Sequence, residues 1–196
     1  MRVPAFFVGT GHTLNRYDLD AIIGQFSVSC NQIHHIFPQT LWRLSVLVMY
    51  GGFGAEVLAL HLNKEYDLVL REHLHGVFDI YSKQYPNVAY VGYCPPVPHE
   101  NSQWCSESRY CFQQGVAEPF GVGAQIIWEQ DVDYDPLYLL GCDMSGPHFY
   151  DRTEVKGQDD LSAAYTELLR QADLRGRTVI NLSKEEHIDW NSILRK

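Results

Sequence analysis

Short apolar runs alternate along this chain with segments of helical periodicity, and this alternation constrains the fold more than any other feature. The first run, Val3 to Val8, ends in a glycine-containing loop, and the run at 44–50 is apolar enough for burial on both faces of a sheet. Further strands are predicted at 26–30, 67–70, 88–93, 138–142 and 178–182, and helices at 14–22, 55–66, 120–130 and 160–175. The pattern predicts an α/β fold of the Rossmann-like type, with a mainly parallel sheet and helices on both faces.

The length of 196 residues suits a single nucleotide-binding α/β domain over 1–196. Within it, the segment 94–118 contains three prolines and few periodic apolar positions, so we expect an irregular insert or lid there. No apolar run approaches the roughly 20 residues that span a bilayer, and the first residues lack a signal-peptide pattern. Together with five unevenly spaced cysteines, which suit reduced thiols, this predicts a cytoplasmic protein.

The net charge of −9 argues against a nucleic-acid-binding protein, because such proteins need a basic face to displace phosphate counterions. The charge is compatible with a single anionic ligand, since backbone amides and a helix N-terminus can bind a phosphate locally. Small-molecule partners are therefore favoured over nucleic acid. Association of the chain into a homo-oligomer stays open.

Small or polar residues follow several of the predicted strands, at the positions where an open parallel sheet binds its ligands. They are Gly9-Thr10-Gly11, Asn31, Gly51-Gly52 and Gly141-Cys142-Asp143. Glycine permits a close approach of ligand to backbone, but the Gly9-x-Gly11 spacing alone fits an ordinary strand-to-helix turn equally well. The amide of Asn31 both donates and accepts hydrogen bonds, so it is a candidate for contacting a base or ribose.

Six short segments, in order along the chain, carry a resemblance to a known family: FVGTGHTL (7–14), SCNQI (29–33), WR (42–43), YLLGCD (138–143), PHF (147–149) and VINLS (179–183). They resemble motifs of the bacterial CMP-sialic-acid-dependent sialyltransferase-like family and of its uncharacterised bacterial and phage relatives. In that family the first strand ends in a Gly-Asn-Gly-Pro-Ser-Leu-like loop, and a later strand ends in Gly-x-Asp. A related branch is 6-hydroxymethylpterin diphosphokinase.

The resemblance implies an inverting, metal-independent glycosyltransferase whose donor is a CMP-type nucleotide sugar and whose acceptor is a glycan or small molecule. His148 corresponds to the family's general base, a role that suits histidine because it exchanges a proton near neutral pH. Asp143 would bind ribose or orient His148, and Tyr138 and Tyr150 would stabilise the departing phosphate. The implied nucleotide-binding residues are Gly9, Thr10, Gly11, Asn31, Gly121, Gly123 and Gly141.

The sequence departs from the family pattern in the two segments that would contact the nucleotide. Thr10 stands where the family has Asn, His12 where it has Pro, and Thr13 where it has Ser. Val122 lies in a turn where the family carries hydroxyl side chains. Two alternatives therefore stay open. One is a diphosphokinase-like phosphoryl transfer, which would require Mg²⁺ and strand-end carboxylates. The other is a non-catalytic nucleotide- or partner-binding protein, for which a phage origin stays open as well.

Two further groups of residues carry weaker signals. Cys94, His99, Cys105 and Cys111 offer four zinc ligands within one segment, but their spacing matches no paired zinc knuckle. We keep zinc as a minor alternative for this segment, and the resemblance implies that the main site needs no metal. The adjacent pair His34 and His35 is predicted to lie on a solvated face.

Overall fold

The computed structural model describes residues 2–49, 67–71, 88–94, 110–113, 119–144, 146–151 and 158–194. The strands are β1 (Val3–Val8), β2 (Ser27–Cys30), β3 (Val46–Met49), β4 (Asp67–Arg71), β5 (Val88–Cys94), β6 (Tyr110–Gln113), β7 (Tyr134–Leu140) and β8 (Val179–Asn181). They form one sheet in the order β6-β5-β4-β3-β2-β1-β7-β8, and every pairing is parallel. The predicted Rossmann-like α/β fold is confirmed.

The helices of the described part are α1 (Pro119–Trp128), α2 (Gln158–Leu174) and the short α3 (Trp190–Leu194), with 3₁₀ helices at His12–Arg16, Leu19–Ile22, Ile33–Gln39 and Leu182–Lys184. The single helix predicted at 14–22 is wrong. Tyr17 and Asp18 have extended backbones, and the Asp18 side chain accepts a hydrogen bond from Asp20 N–H, so a second turn begins there. The helix predicted at 55–66 lies outside the described residues.

No helix among the described residues has the length and apolar character needed to cross a membrane.

Alternate residues of β1 are buried in two separate cores, one on each face of the sheet. Ala5 and Phe7 belong to the core that also contains side chains from α1 and α2, such as Ile126 and Leu168. Phe6 and Val8 belong to the opposite core, which is covered by the 3₁₀ helices and by α3. Its members include Leu14, Ile22, Ile33, Ile36, Trp42 and Leu182. The central strand is therefore buried on both faces, as is usual for a parallel sheet.

The segment expected to be irregular, 94–118, contains the edge strand β6, so that expectation is wrong for residues 110–113. In β6 Cys111 pairs with Gly92 and Gln113 pairs with Cys94, in parallel register. Residues 95–109 and 114–118 lie outside the described residues.

Gly123 brings α1 close to the sheet. A Cβ atom at this position would lie 2.3 Å from Cδ2 and 2.5 Å from Cε2 of the buried Phe7 ring. Gly123 was predicted to contact a nucleotide, and the structure places it in the core instead. It is a glycine because the ring of Phe7 occupies the space that a side chain would need.

We expect Gly123→Ala to lower the free energy of unfolding by up to about 2 kcal/mol, because overpacking against Phe7 costs about 1–3 kcal/mol and Ala regains only roughly 1 kcal/mol in helix propensity. Urea denaturation measures the change. In a Phe7→Leu background the same substitution should cost clearly less, because the ring that it meets is gone. An equal cost in both backgrounds would show that Phe7 does not determine the residue at 123.

Candidate functional site

The candidate site lies at the carboxyl end of β1, where the direction of strand order reverses. After β1 the chain proceeds to β2 on one side, whereas β7 is inserted later on the other side of β1. After β1, Leu14 packs into the core that the 3₁₀ helices cover. The helix α2, which follows β7, packs on the opposite face of the sheet. Such a switch point is the usual place for a ligand in an open α/β sheet.

The glycines of the two loops at this switch point contact each other. Gly9 N–H donates to Leu140 O at 2.7 Å, and Gly11 N–H donates to Gly141 O at 2.8 Å. A Cβ at Gly9 would lie 2.5 Å from Gly141 O, and a Cβ at Gly11 would lie 2.6 Å from the same atom. Gly141 itself has a φ of +60°, which favours glycine. These contacts correct the prediction that the amides of Gly9 and Gly11 meet a nucleotide, since both donate to the loop after β7.

The Asp143 carboxylate lies behind the loop that follows β1. Its Oδ2 accepts from Thr13 N–H at 3.0 Å and lies 2.8 Å from His12 Nδ1, and its Oδ1 accepts from the Thr13 hydroxyl. The Asp143 side chain is only 6% exposed, whereas that of His12 is 44% exposed. Asp143 was predicted to bind ribose or orient His148. In the structure the Asp143 oxygens instead contact Thr13 and His12.

His148 is fixed against the same loop. Its Nδ1 lies 2.9 Å from the Thr10 hydroxyl oxygen and 3.3 Å from the Thr10 carbonyl oxygen. The backbone of His148 bridges to Gly11, and Phe149 N–H donates to Thr10 O at 2.9 Å. A carbonyl oxygen only accepts and a hydroxyl oxygen can accept, so the tautomer with its proton on Nδ1 suits both contacts. In that tautomer Nε2 carries the lone pair and is the nitrogen that can accept a proton.

Four aromatic rings follow one another from His148 away from the loop, and we call them the ring column; the first three are stacked and the His34 ring is tilted against that of His35. The ring of His148 lies 5.1 Å from that of Tyr150, the Tyr150 ring 4.7 Å from that of His35, and the His35 ring 4.3 Å from that of His34. Burial raises the pKa of Tyr150 to about 12, so its hydroxyl remains a donor at neutral pH. Burial also lowers the pKa of His34, which is partly buried, so the predicted solvated face is confirmed for His35 alone.

Tyr138 is not part of this cluster. Its side chain is 8% exposed, lies in the 3₁₀-covered core and stacks on Phe6 with ring centroids 5.5 Å apart. Burial raises the pKa of its hydroxyl. The predicted role of Tyr138 in stabilising a leaving group is therefore replaced by a packing role, and of the two predicted tyrosines only Tyr150 lies beside His148. Cys142, one of the cysteines predicted to be reduced, is a buried thiol.

Asn31 and Gly121 lie on the two elements that flank the switch point. Asn31 directly follows β2, has a φ of 50° and donates its N–H to Val48 O at 3.0 Å. Gly121 is buried in the first turn of α1. A contact of either residue with a nucleotide stays a prediction.

Two of the four residues of the zinc prediction lie outside the residues that the structure describes. Cys94 ends β5 and Cys111 lies in the neighbouring β6, whereas His99 and Cys105 are outside the described ranges. Within those ranges, no group of three or more His, Cys, Asp or Glu side chains is placed to hold a metal ion. The zinc alternative stays a prediction.

His12 is the residue of this cluster that sequence reasoning missed. In the sequence it stood out only as a replacement for the family's proline. The structure pairs it with Asp143 and places it directly after Gly11, whose backbone bridges to His148. A histidine beside a Gly-x-Gly turn, together with an aspartate after another strand, was the available signal.

No protein-family model matches this chain, and no curated protein matches its sequence.

We expect Asp143→Ala to lower the free energy of unfolding by about 1–3 kcal/mol, because the buried Thr13 amide loses its acceptor. Chemical denaturation at neutral pH measures the loss. Asp173→Ala is the matched control, since this aspartate is exposed on α2 and its removal should change stability by less than about 0.5 kcal/mol. Equal effects of the two substitutions would contradict the anchoring role of Asp143.

Proposed function

We propose that this chain is a glycosyltransferase that takes a CMP-type nucleotide sugar as donor, inverts the anomeric centre and requires no metal ion. The observation that carries the proposal is His148, oriented by Thr10 at the switch point of a parallel sheet with Nε2 available to accept a proton. The short motifs in common with sialyltransferase-like proteins support the same conclusion.

In this proposal His148 acts as the general base. Its Nε2 takes the proton of an acceptor hydroxyl while the hydroxyl oxygen attacks the anomeric carbon from the face opposite the nucleotide. The bond between that carbon and the phosphate oxygen breaks, which inverts the configuration. A positioned base of this kind contributes about 10²- to 10⁴-fold to the rate.

The donor lies across the ends of β1 and β2 and the first turn of α1. Asn31 contacts the base or ribose through its amide, and Gly121 lets the phosphate approach the start of α1, where helix N–H groups favour an anion. Thr10, Gly9, Gly11 and Gly141 form the rigid floor of this site rather than its hydrogen-bond donors. Tyr150 stays protonated and donates to the departing phosphate.

The geometry favours this reaction over a diphosphokinase-like phosphoryl transfer, which needs carboxylates at the strand ends to hold Mg²⁺. Asp143 is the obvious candidate, and its oxygens are bound by Thr13 and His12. A non-catalytic nucleotide- or partner-binding protein is the second alternative, and the sugar-transfer assay below separates it from an enzyme. We place the protein in the cytoplasm, that of the host if a phage encodes it, with a glycan or small-molecule acceptor as its second substrate.

Thermal unfolding in the presence of CMP, CDP, UDP, GDP or ATP, each with and without Mg²⁺, tests the donor class. Specific binding of CMP at 100 times its Kd adds about 2.7 kcal/mol to the stability, so CMP without metal should raise the melting temperature. Stabilisation by ATP with Mg²⁺ alone would favour the phosphoryl-transfer alternative. No response to any nucleotide would contradict the proposal.

His148→Ala tests the base. We expect it to lower sugar transfer from a CMP-sugar by about 10²- to 10⁴-fold while CMP affinity stays within a few-fold of the parent. His187→Ala is the matched control, because this histidine is exposed and lies outside the site. Unchanged transfer by His148→Ala, measured as release of CMP in the presence of acceptor, would exclude His148 as the base.

A further inference from the structure

His12 and Asp143 form a second histidine-centred unit beside His148. The buried carboxylate of Asp143 lies 2.8 Å from His12 Nδ1, and the His12 side chain, which directly follows Gly11, is 44% exposed. A carboxylate only accepts, so Nδ1 carries a proton and Nε2 is the nitrogen that gains or loses one. A buried acid that fixes the tautomer of an exposed imidazole is a recurring arrangement in catalytic proton transfer.

The two histidines have partners of different charge. His148 meets the hydroxyl and carbonyl oxygens of Thr10, which are neutral, whereas His12 meets an anionic carboxylate. A nearby anion favours the protonated form of an imidazole, which is the form that donates, whereas the hydroxyl and carbonyl oxygens of Thr10 carry no charge. The pair is thereby divided into a donor and an acceptor of protons.

The backbone bridge between Gly11 and His148 places the two units side by side, because His12 is the next residue along the loop. In the proposed reaction Tyr150 keeps its proton when it hydrogen-bonds to the departing phosphate, and Tyr138 is buried, so the proton that this phosphate takes up needs another source. Resting on the proposed function, the geometry points to His12, held by Asp143, as the proton donor to the nucleotide phosphate that leaves the sugar.

The step balances as follows. The bond between the anomeric carbon and the phosphate oxygen breaks, and its electron pair remains on that oxygen. His12 Nε2 gives its proton to a phosphate oxygen, while His148 Nε2 receives the proton of the acceptor hydroxyl. After product release His148 loses its proton to water and His12 regains one, so neither histidine is changed over a cycle.

Other ionisable groups surround this pair and have to be separated from it. One is Tyr17, whose pKa is raised chiefly by burial and to a smaller extent by the negative charge of Asp143. Tyr17 OH donates to Leu182 O at 2.8 Å. Arg16 is the last residue of the 3₁₀ helix that begins at His12. Because none of these contacts involves the His12 ring, a substitution at His12 leaves them in place.

The variants His12→Gln and Asp143→Asn, with His187→Gln as control, test the inference on the full chain. Sugar transfer from a CMP-sugar is measured across pH. We expect His12→Gln to lower kcat by about 10²-fold or more and to remove the fall of kcat on the alkaline side of the profile, because that limb reports the loss of the donated proton. Asp143→Asn should lower kcat in the same sense. Circular dichroism verifies the fold of each variant.

A readout that needs no turnover separates this inference from the proposed function. The ¹⁵N signals of the His12 ring should show a proton on Nδ1 in the parent, and addition of CMP should shift the Nε2 signal. Transfer that proceeds unchanged in His12→Gln, or a CMP-saturated protein whose His12 signals do not move, overturns the inference. A parent that turns over no donor, while CMP still shifts the Nε2 signal, refutes the glycosyltransferase and retains His12 as a phosphate contact.

Discussion

Backbone hydrogen bonds between the loops after β1 and β7 hold the candidate site together. Gly9 and Gly11 donate to the carbonyls of Leu140 and Gly141, and neither glycine has room for a side chain. This contact places Asp143 behind the first loop. The backbone that positions the polar side chains of the site therefore cannot shift without breaking the hydrogen bonds that join the ends of β1 and β7. Rigid support of this kind is what catalytic side chains need.

The fold was accessible from the sequence because burial on both faces of a parallel sheet leaves a strong local signal. Val3–Val8 was predicted to the residue and the other predicted strands within a few residues, whereas β6 at Tyr110–Gln113 was not predicted. The helix expected at 14–22 failed because Asp18 accepts from the backbone of Asp20 and begins a new turn, a competition that apolar spacing does not report. Periodicity identifies which face is buried more reliably than it identifies where a helix begins.

The site was predicted less well, because its contacts join residues far apart in the sequence. His148 and Thr10 were both proposed, but their hydrogen bond depends on the return of residues 146–151 to the first loop. Gly123 was predicted to contact the ligand, because the sequence does not show that the Phe7 ring packs against this glycine. His12 was counted only as a departure from a family pattern, and its partner Asp143 follows a different strand. The sequence therefore predicted several residues of the site but not the contacts between them.

The ring column extends the influence of the site beyond the two loops. Its outer rings, His34 and His35, belong to the 3₁₀ helix Ile33–Gln39, which directly follows Asn31 and Gln32 at the end of β2. The column thus joins the segment beside Asn31 to His148 through stacked rings rather than through hydrogen bonds. His35 contacts neither the sugar donor nor the acceptor in the proposed reaction, yet its substitution would remove the ring on which Tyr150 stacks and so weaken the packing of His148. Substitutions along the ring column should therefore affect the activity even where they lie outside the two loops.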